Sequence, residues 1–255
     1  MTEERHQVTS AGAHLALVLH LPEAGGRVPC VIACHGLRGS KDSDKYRRLG
    51  VELPAAGLAL ARFDFRGCGE SGGDEEETTI ASRIDDVRAV LGYLRHHRRL
   101  NGRFGLLGSS LGGFVALHVA AAHPEPLPVV TWNAPSNLED LMATPEASAD
   151  GLGIAFFQEM ATHRYLQAPA GVPAHLVIQA EADDVVPVEH GATLHARAAD
   201  PCDLVIVPGA DHRFTDPDHC AEAVRCSVQW FRRHLSGPDA QTASGDTAAA
   251  TPSGQ

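Results

Sequence analysis

The stretch GRFGLLGSSLGGFVALHVAA, residues 102–121, decides how the rest of the chain is read. It passes from an apolar segment through a knot of glycines and serines into an alanine-rich segment with helical character. Gly108, Ser110 and Gly112 hold the three fixed places of Gly-x-Ser-x-Gly. That spacing suits a strand that ends abruptly and a helix that begins at once. The middle serine then occupies a strained turn, with its hydroxyl exposed at the carboxyl edge of a sheet. Ser110 is the candidate nucleophile, and its neighbour Ser109 lacks the same flanks. Alone the pattern is common by chance, but here a strand-like run precedes it and a helix-like run follows, which is the context it requires.

A serine hydroxyl attacks well only when a base takes its proton and a carboxylate orients that base. Downstream, HLVIQAEADDVVPVEHG (residues 175–191) reads as a strand followed by an acidic loop. CDLVIVPGADHRFTDP (residues 202–217) reads as the next strand followed by a loop containing His212. Nucleophile, acid and histidine thus come in the order Ser, Asp, His, each just after a strand, where open α/β sheets place their ligands. Negative charge on the attacked carbonyl oxygen needs backbone N–H donors aimed at it beforehand. Leu111, following the nucleophile at a helix start, is one candidate. The other is expected from the loop after CVIACHGLRGS, residues 30–40.

With these motifs the chain resembles the α/β-hydrolase superfamily, specifically small serine esterases similar to cinnamoyl and feruloyl esterases and serine-aminopeptidase-like hydrolases. The resemblance covers roughly residues 10–235. It implies Asp183 as the acid, four residues before Pro187 in an acid-x-x-Val-Pro pattern, with Asp184 as the competitor. It matches a Gly-x-x-His loop to Gly209 and His212, for which a plain surface histidine is the alternative. It makes Leu37, the residue after His35-Gly36, the second oxyanion donor. His35 would shape that turn, and Gly36 would let the backbone approach closely. ARFDFRGCGESGG (residues 61–73) matches the family's Asp-x-Arg-Gly-x-Gly-x-Ser segment, in which Asp64 and Arg66 are read as braces beside the site. Cys68 stands where the family often has histidine. It is read as a solvent-facing loop thiol, the alternative being a thiol near the pocket.

Around this core, strand-like runs alternate with helix-like ones: HLALVLHL, CVIAC, LALARF, RFGLLG, LPVVTW, AHLVIQA and CDLVIVP are the strands. The alternation implies an α/β fold with a mostly parallel central sheet and helices on both faces. The first run is expected to pair antiparallel at the sheet edge. Ile80, Ile84, Val87, Leu91 and Leu94 form one helical stripe, and Val224, Val228, Phe231 and Leu235 form another. Residues 1–235 are expected to be one hydrolase domain with a short lid insertion at about 133–172. That insertion contains the helix-like GLGIAFFQEMATHRYL, whose Phe156, Phe157, Met160 and Tyr165 either line a pocket or pack on the core. Residues 236–255, small, polar and aperiodic, are expected to be a disordered tail.

Twenty-one Lys and Arg against thirty-two Asp and Glu give a formal net charge of −11, which argues against a nucleic-acid partner. The charged opening MTEERHQVTSAG lacks the apolar run of a signal peptide, and no run of about 18 apolar residues occurs, so a cytoplasmic protein away from membranes is expected. The six cysteines show no CxxC spacing, and Cys30 and Cys34, four apart on one strand, are too distant for a bridge; all six are read as free thiols. Fifteen histidines invite a metal, but HExxH is absent and the His96-His97 pair places its rings on different parts of a helical face. The acidic run Asp74 to Glu77 is read as a solvated helix start. The expectation is therefore a monomeric or homodimeric serine hydrolase without cofactor or metal. It would cleave small or medium-sized carboxylic esters through an acyl-enzyme, with Ser110, Asp183 and His212 as triad and Leu37 and Leu111 as oxyanion donors. A thioesterase or peptidase with the same machinery is the alternative, and a non-catalytic binding protein is the remaining one.

Overall fold

A computed structural model of the protein describes residues 1–139 and 152–235. The expected tail at 236–255 and the middle of the expected insertion lie outside the described residues. Eight strands form one sheet in the order β1-β2-β4-β3-β5-β6-β7-β8. They are β1 (Thr2–Ser10), β2 (Ala13–Leu21), β3 (Val28–Cys34), β4 (Ala59–Phe63), β5 (Leu100–Ser109), β6 (Val129–Trp132), β7 (His175–Ala180) and β8 (Cys202–Val207). The β1–β2 and β2–β4 pairs are antiparallel and every other pair is parallel.

Seven of these strands are the apolar runs of the sequence, and β1 is an addition. Its polar outer residues hid it, because it is an edge strand with one face in water and needs apolar side chains only near its end, at Val8. The hairpin to β2 closes over Ala11 and Gly12, both at positive φ (44° and 87°), the backbone of a tight two-residue hairpin turn. β2 is therefore antiparallel as expected, but it lies inside the sheet, between β1 and β4, and not at the edge.

Helices α1 (Asp44–Ala55), α2 (Ile80–Leu94), α3 (Leu111–Ala122), α4 (Ile154–Ala161), α5 (Val188–Arg197) and α6 (Pro217–Leu235) cover the two faces. Alternation along the strands feeds two cores. Cys30, Ile32 and Cys34 of β3 face α2 and α3, whereas Val31 and Ala33 face α1 and α6. The whole stripe Ile80, Ile84, Val87, Leu91 and Leu94 is buried on α2, which Thr79 and Ser82 start with a reciprocal capping box. The acidic run forms a separate 3-10 turn, Glu75–Glu77, capped by Asp74, so α2 starts later than that run suggested. In α4, Phe156 and Met160 are buried in the core, while Glu159 accepts hydrogen bonds from the Ile80 and Ala81 N–H groups. All six cysteines are free. Among the described residues no helix is long and apolar enough to cross a membrane.

The chain leaves β3 toward β4 on one side and returns to β5 on the other, so strand order reverses at β3. α1, which follows β3, and α3, which follows β5, pack on opposite faces, so the reversal falls at the carboxyl ends of β3 and β5, where open α/β sheets place their ligands.

Three imidazoles make this fold acid-sensitive. Burial holds His35 down to about 4, with help from the Arg83 charge. Burial likewise takes His118 to about 4 and His175 to about 3. Because the folded values lie below the ordinary 6.5, the unfolded chain binds more protons in between, and stability present above about 6.5 is lost as pH falls toward 4. Urea unfolding midpoints measured from pH 7 to pH 4 should fall steadily, and His175→Gln should flatten that slope.

Candidate active site

Ser110 is the hinge between β5 and α3. It takes φ 53° and ψ −128°, a conformation sparsely populated for a side-chain-bearing residue and costing about 1–3 kcal/mol. Its neighbours hold it there: the Ser110 N–H donates to Trp132 O at 2.8 Å, and its carbonyl accepts from the Gly113 N–H at 2.9 Å. The flanking glycines are steric necessities. A Cβ on Gly108 would strike the Gly112 carbonyl, and one on Gly112 would strike the Cys34 carbonyl and come 2.5 Å from His35 O. The turn is thus wedged directly against the end of β3.

That wedge brings the loop after β3 over the serine. A Cβ on Gly36 would lie 3.1 Å from Ser110 Cβ and 3.8 Å from its Oγ. His35 is fully buried beneath this loop: Nε2 accepts from the Phe65 N–H (3.1 Å), so Nδ1 carries the proton and donates to Gly36 O (2.8 Å). His35 therefore acts as a neutral brace. Asp64, completely buried, accepts from the Lys41 N–H (2.7 Å), Lys41 Nζ (2.9 Å) and the Glu70 N–H (3.0 Å), tying the same loop to the end of β4. Burial alone would lower the Lys41 ammonium, but bonds to Asp42, Glu70 and Asp64 outweigh it and raise it. Arg66 pairs with buried Asp86. The Leu111 N–H, at the first position of α3, has no intrahelical acceptor.

Asp183 and His212 meet at the same edge, after β7 and β8. Asp183 Oδ1 accepts from the Val185 and Val186 N–H groups (2.9 and 2.7 Å), and Oδ2 faces His212 Nδ1 at 2.8 Å. The carboxylate is buried, whereas Asp184 is exposed; the pairing falls on Asp183. Ser110 Oγ makes no hydrogen bond among the described residues, nor does His212 Nε2.

Two residues beyond the sequence expectations build this corner. Asn133, fully buried just past β6 at φ 51°, donates from Nδ2 to His212 O (2.9 Å) and accepts at Oδ1 from the Ala180 N–H (2.7 Å). It joins the histidine loop to the last residue of β7, three residues before Asp183. Lys45 of α1 donates to Ser109 Oγ at 2.7 Å beside the Trp132 and Tyr46 rings, and burial pushes its ammonium down to about 8. An asparagine ending a strand is a turn signal that sequence can show; the Lys45 contact spans 64 residues and has no such signal. Cys68 corrects the sequence reading. It is buried, with Sγ 3.8 Å from Arg83 and 3.7 Å from Glu75, and burial pushes its thiol up to about 11. The loop folds inward here because Gly67 and Gly69 take positive φ and let the chain close over Asp64 and Asp74.

Residues 27–145 match the profile of a family described as serine aminopeptidase, S33. An uncharacterised protein of Mycobacterium tuberculosis is 31% identical over 198 residues, covering 76% of this chain and 66% of the relative. Uncharacterised YfhR of Escherichia coli is 26% identical over 191 residues, covering 74% and 64%. The chain thus spans about two thirds, or slightly less, of the length of these relatives. Among solved structures, Est1E of Butyrivibrio proteoclasticus with ferulic acid bound superposes with a TM-score of 0.78 at 20% identity, covering 90% of this chain and 98% of that one. A lidless α/β serine hydrolase of Xanthomonas campestris gives 0.68 at 24% identity, covering 93% and 97%.

The steric and polar roles are separable by substitution. Gly112→Ala should cost about 1–3 kcal/mol or more through overpacking, whereas Gly92→Ala, at an open position of α2, should gain about 0.5–1 kcal/mol. Asn133→Ala leaves the Ala180 N–H unsatisfied and should lower stability by about 1–3 kcal/mol in urea unfolding.

Proposed function

We propose that the chain, which has the fold of the α/β hydrolases it superposes on, is a serine hydrolase cleaving small or medium-sized carboxylic esters through an acyl-enzyme. The observation that carries the proposal is the buried Asp183 carboxylate 2.8 Å from His212 Nδ1, on the sheet edge where the strained Ser110 turn stands. Asp183 fixes the tautomer that leaves His212 Nε2 with its lone pair. His212 takes the Ser110 proton as Oγ attacks the ester carbonyl, and the Leu37 and Leu111 N–H groups receive the developing oxyanion. Collapse expels the alcohol, protonated by His212. Water, activated by the same imidazole, then releases the acid and restores Ser110. The ferulic acid held by Est1E favours aryl acyl groups among the substrates to test. A peptidase or thioesterase on the same residues is the second reading, favoured by the aminopeptidase description of the matching family.

A fluorophosphonate probe should label Ser110 in the folded protein, and Ser110→Ala should abolish labelling and lower kcat by at least about 10³-fold with the fold intact. Ser109→Ala removes the partner of Lys45 yet should still be labelled. Failure of the folded wild-type protein to react would favour a binding protein. Rates on nitrophenyl esters of graded length, hydroxycinnamate esters and an aminoacyl arylamide would separate esterase from peptidase.

A further inference from the structure

Three potential ligand atoms converge where edge strand β1 passes the end of α2. Glu4 and His6, two apart on β1, share the face that is turned inward. His97 comes from the loop between α2 and β5, 93 residues from Glu4. Glu4 Oε2 lies 3.1 Å from His97 Nε2 and 3.3 Å from His6 Nε2, and the three atoms all lie within 4.8 Å of one another. A second observation singles out His6. Its Nε2 is buried and has no hydrogen-bond partner even though the carboxylate is so close, while its Nδ1 is engaged by the Tyr93 hydroxyl at 2.9 Å. The ring is also packed edge-on between Tyr93 and His97, with centroids 5.6 and 5.7 Å away. The ring is oriented, and its unpartnered nitrogen lies within 4.8 Å of the other two donor atoms.

From this geometry we propose that Glu4, His6 and His97 bind a divalent first-row transition ion of the zinc class, which pins the edge strand to α2. Zinc takes imidazole nitrogen and carboxylate oxygen at about 2.0–2.2 Å, so two ligands on one tetrahedral ion stand about 3.4 Å apart. The two separations from Glu4, 3.1 and 3.3 Å, lie close to that spacing, and the two imidazole nitrogens are within 4.8 Å of each other. Two imidazoles and one carboxylate select zinc, cobalt, nickel or copper over magnesium and calcium, which prefer oxygen alone. Water completes the coordination.

The surrounding groups are compatible with loading. The Tyr93 oxygen can accept from a protonated His6 Nδ1, the tautomer that presents a lone pair at Nε2, and so acts as the outer support such ligands need. For His97, Nδ1 now accepts from the Arg99 N–H at 3.3 Å, so its proton sits on Nε2, facing Glu4. Binding moves that proton to Nδ1 and gives up the long Arg99 bond, which holds the affinity to a moderate level. The sequence did not show the site, because Glu-x-His on one strand and a histidine some ninety residues later form no contiguous motif.

The test uses the full chain without an affinity tag, stripped with a chelator and titrated with cobalt(II). One equivalent should bind with visible d–d absorption and raise Tm, and magnesium should do neither. His6→Ala and His97→Ala should each weaken binding by at least about tenfold while leaving the circular dichroism and the Ser110 labelling unchanged. Tyr93→Phe, a milder change that spares the ligands, should weaken it less. His212→Ala should bind as wild type. The proposal fails if the wild-type chain shows no saturable binding, or if binding survives His6→Ala and His97→Ala undiminished.

Discussion

The contact on which the site depends is steric: the Gly112 backbone lies so close to the Cys34 carbonyl that no side chain fits between them. That approach forces the chain to leave β5 and enter α3 within one residue, which places Ser110 in its positive-φ turn. It also sets the height of the loop after β3, and Gly36 descends to contact distance of the serine. The local strain of about 1–3 kcal/mol is held by the Trp132 and Gly113 backbone bonds and by the apolar packing of α3, which is buried along nearly its whole length.

Around this wedge, the polar groups are fixed before any substrate arrives. Asp64 has three donors, Asp183 has two backbone N–H donors besides His212, and His35 is a neutral imidazole satisfied at both nitrogens. Buried groups this fully bonded are costly to disturb, so the loops that carry Leu37 and His212 stay in register with the strands beneath them. Arg83 is the exception. Its guanidinium is buried against the Phe65 ring, 4.7 Å from the centroid, with Nε and Nη1 unpartnered among the described residues. Its charge reinforces the neutrality of His35, and burial lowers its own hold on the proton.

The two edges of the sheet are finished differently. β8 is backed by α6 and continues into the His212 loop, while β1 is polar on its outer face and anchored on its inner face by Glu4, His6 and the residues at the end of α2. An edge strand with so few apolar anchors depends on such polar pinning to stay paired.

The sequence by itself determined the elements whose signals are local: seven strands from apolar runs, the α2 stripe, and a Gly-x-Ser-x-Gly turn whose glycines are dictated by contacts within a few residues. It also gave the order Ser, Asp, His along the chain. Only the tertiary structure paired His212 with Asp183 and not with Asp184, turned Cys68 inward, brought Asn133 to His212 and Lys45 to Ser109, and brought His97 to Glu4 and His6. The strand β1 belongs to the same group, since its polar sequence becomes a strand only by pairing with β2. The division follows from range: backbone sterics act between residues close in sequence and leave a readable spacing. Which side chain faces inward, and what it meets there, depends on packing between segments tens of residues apart.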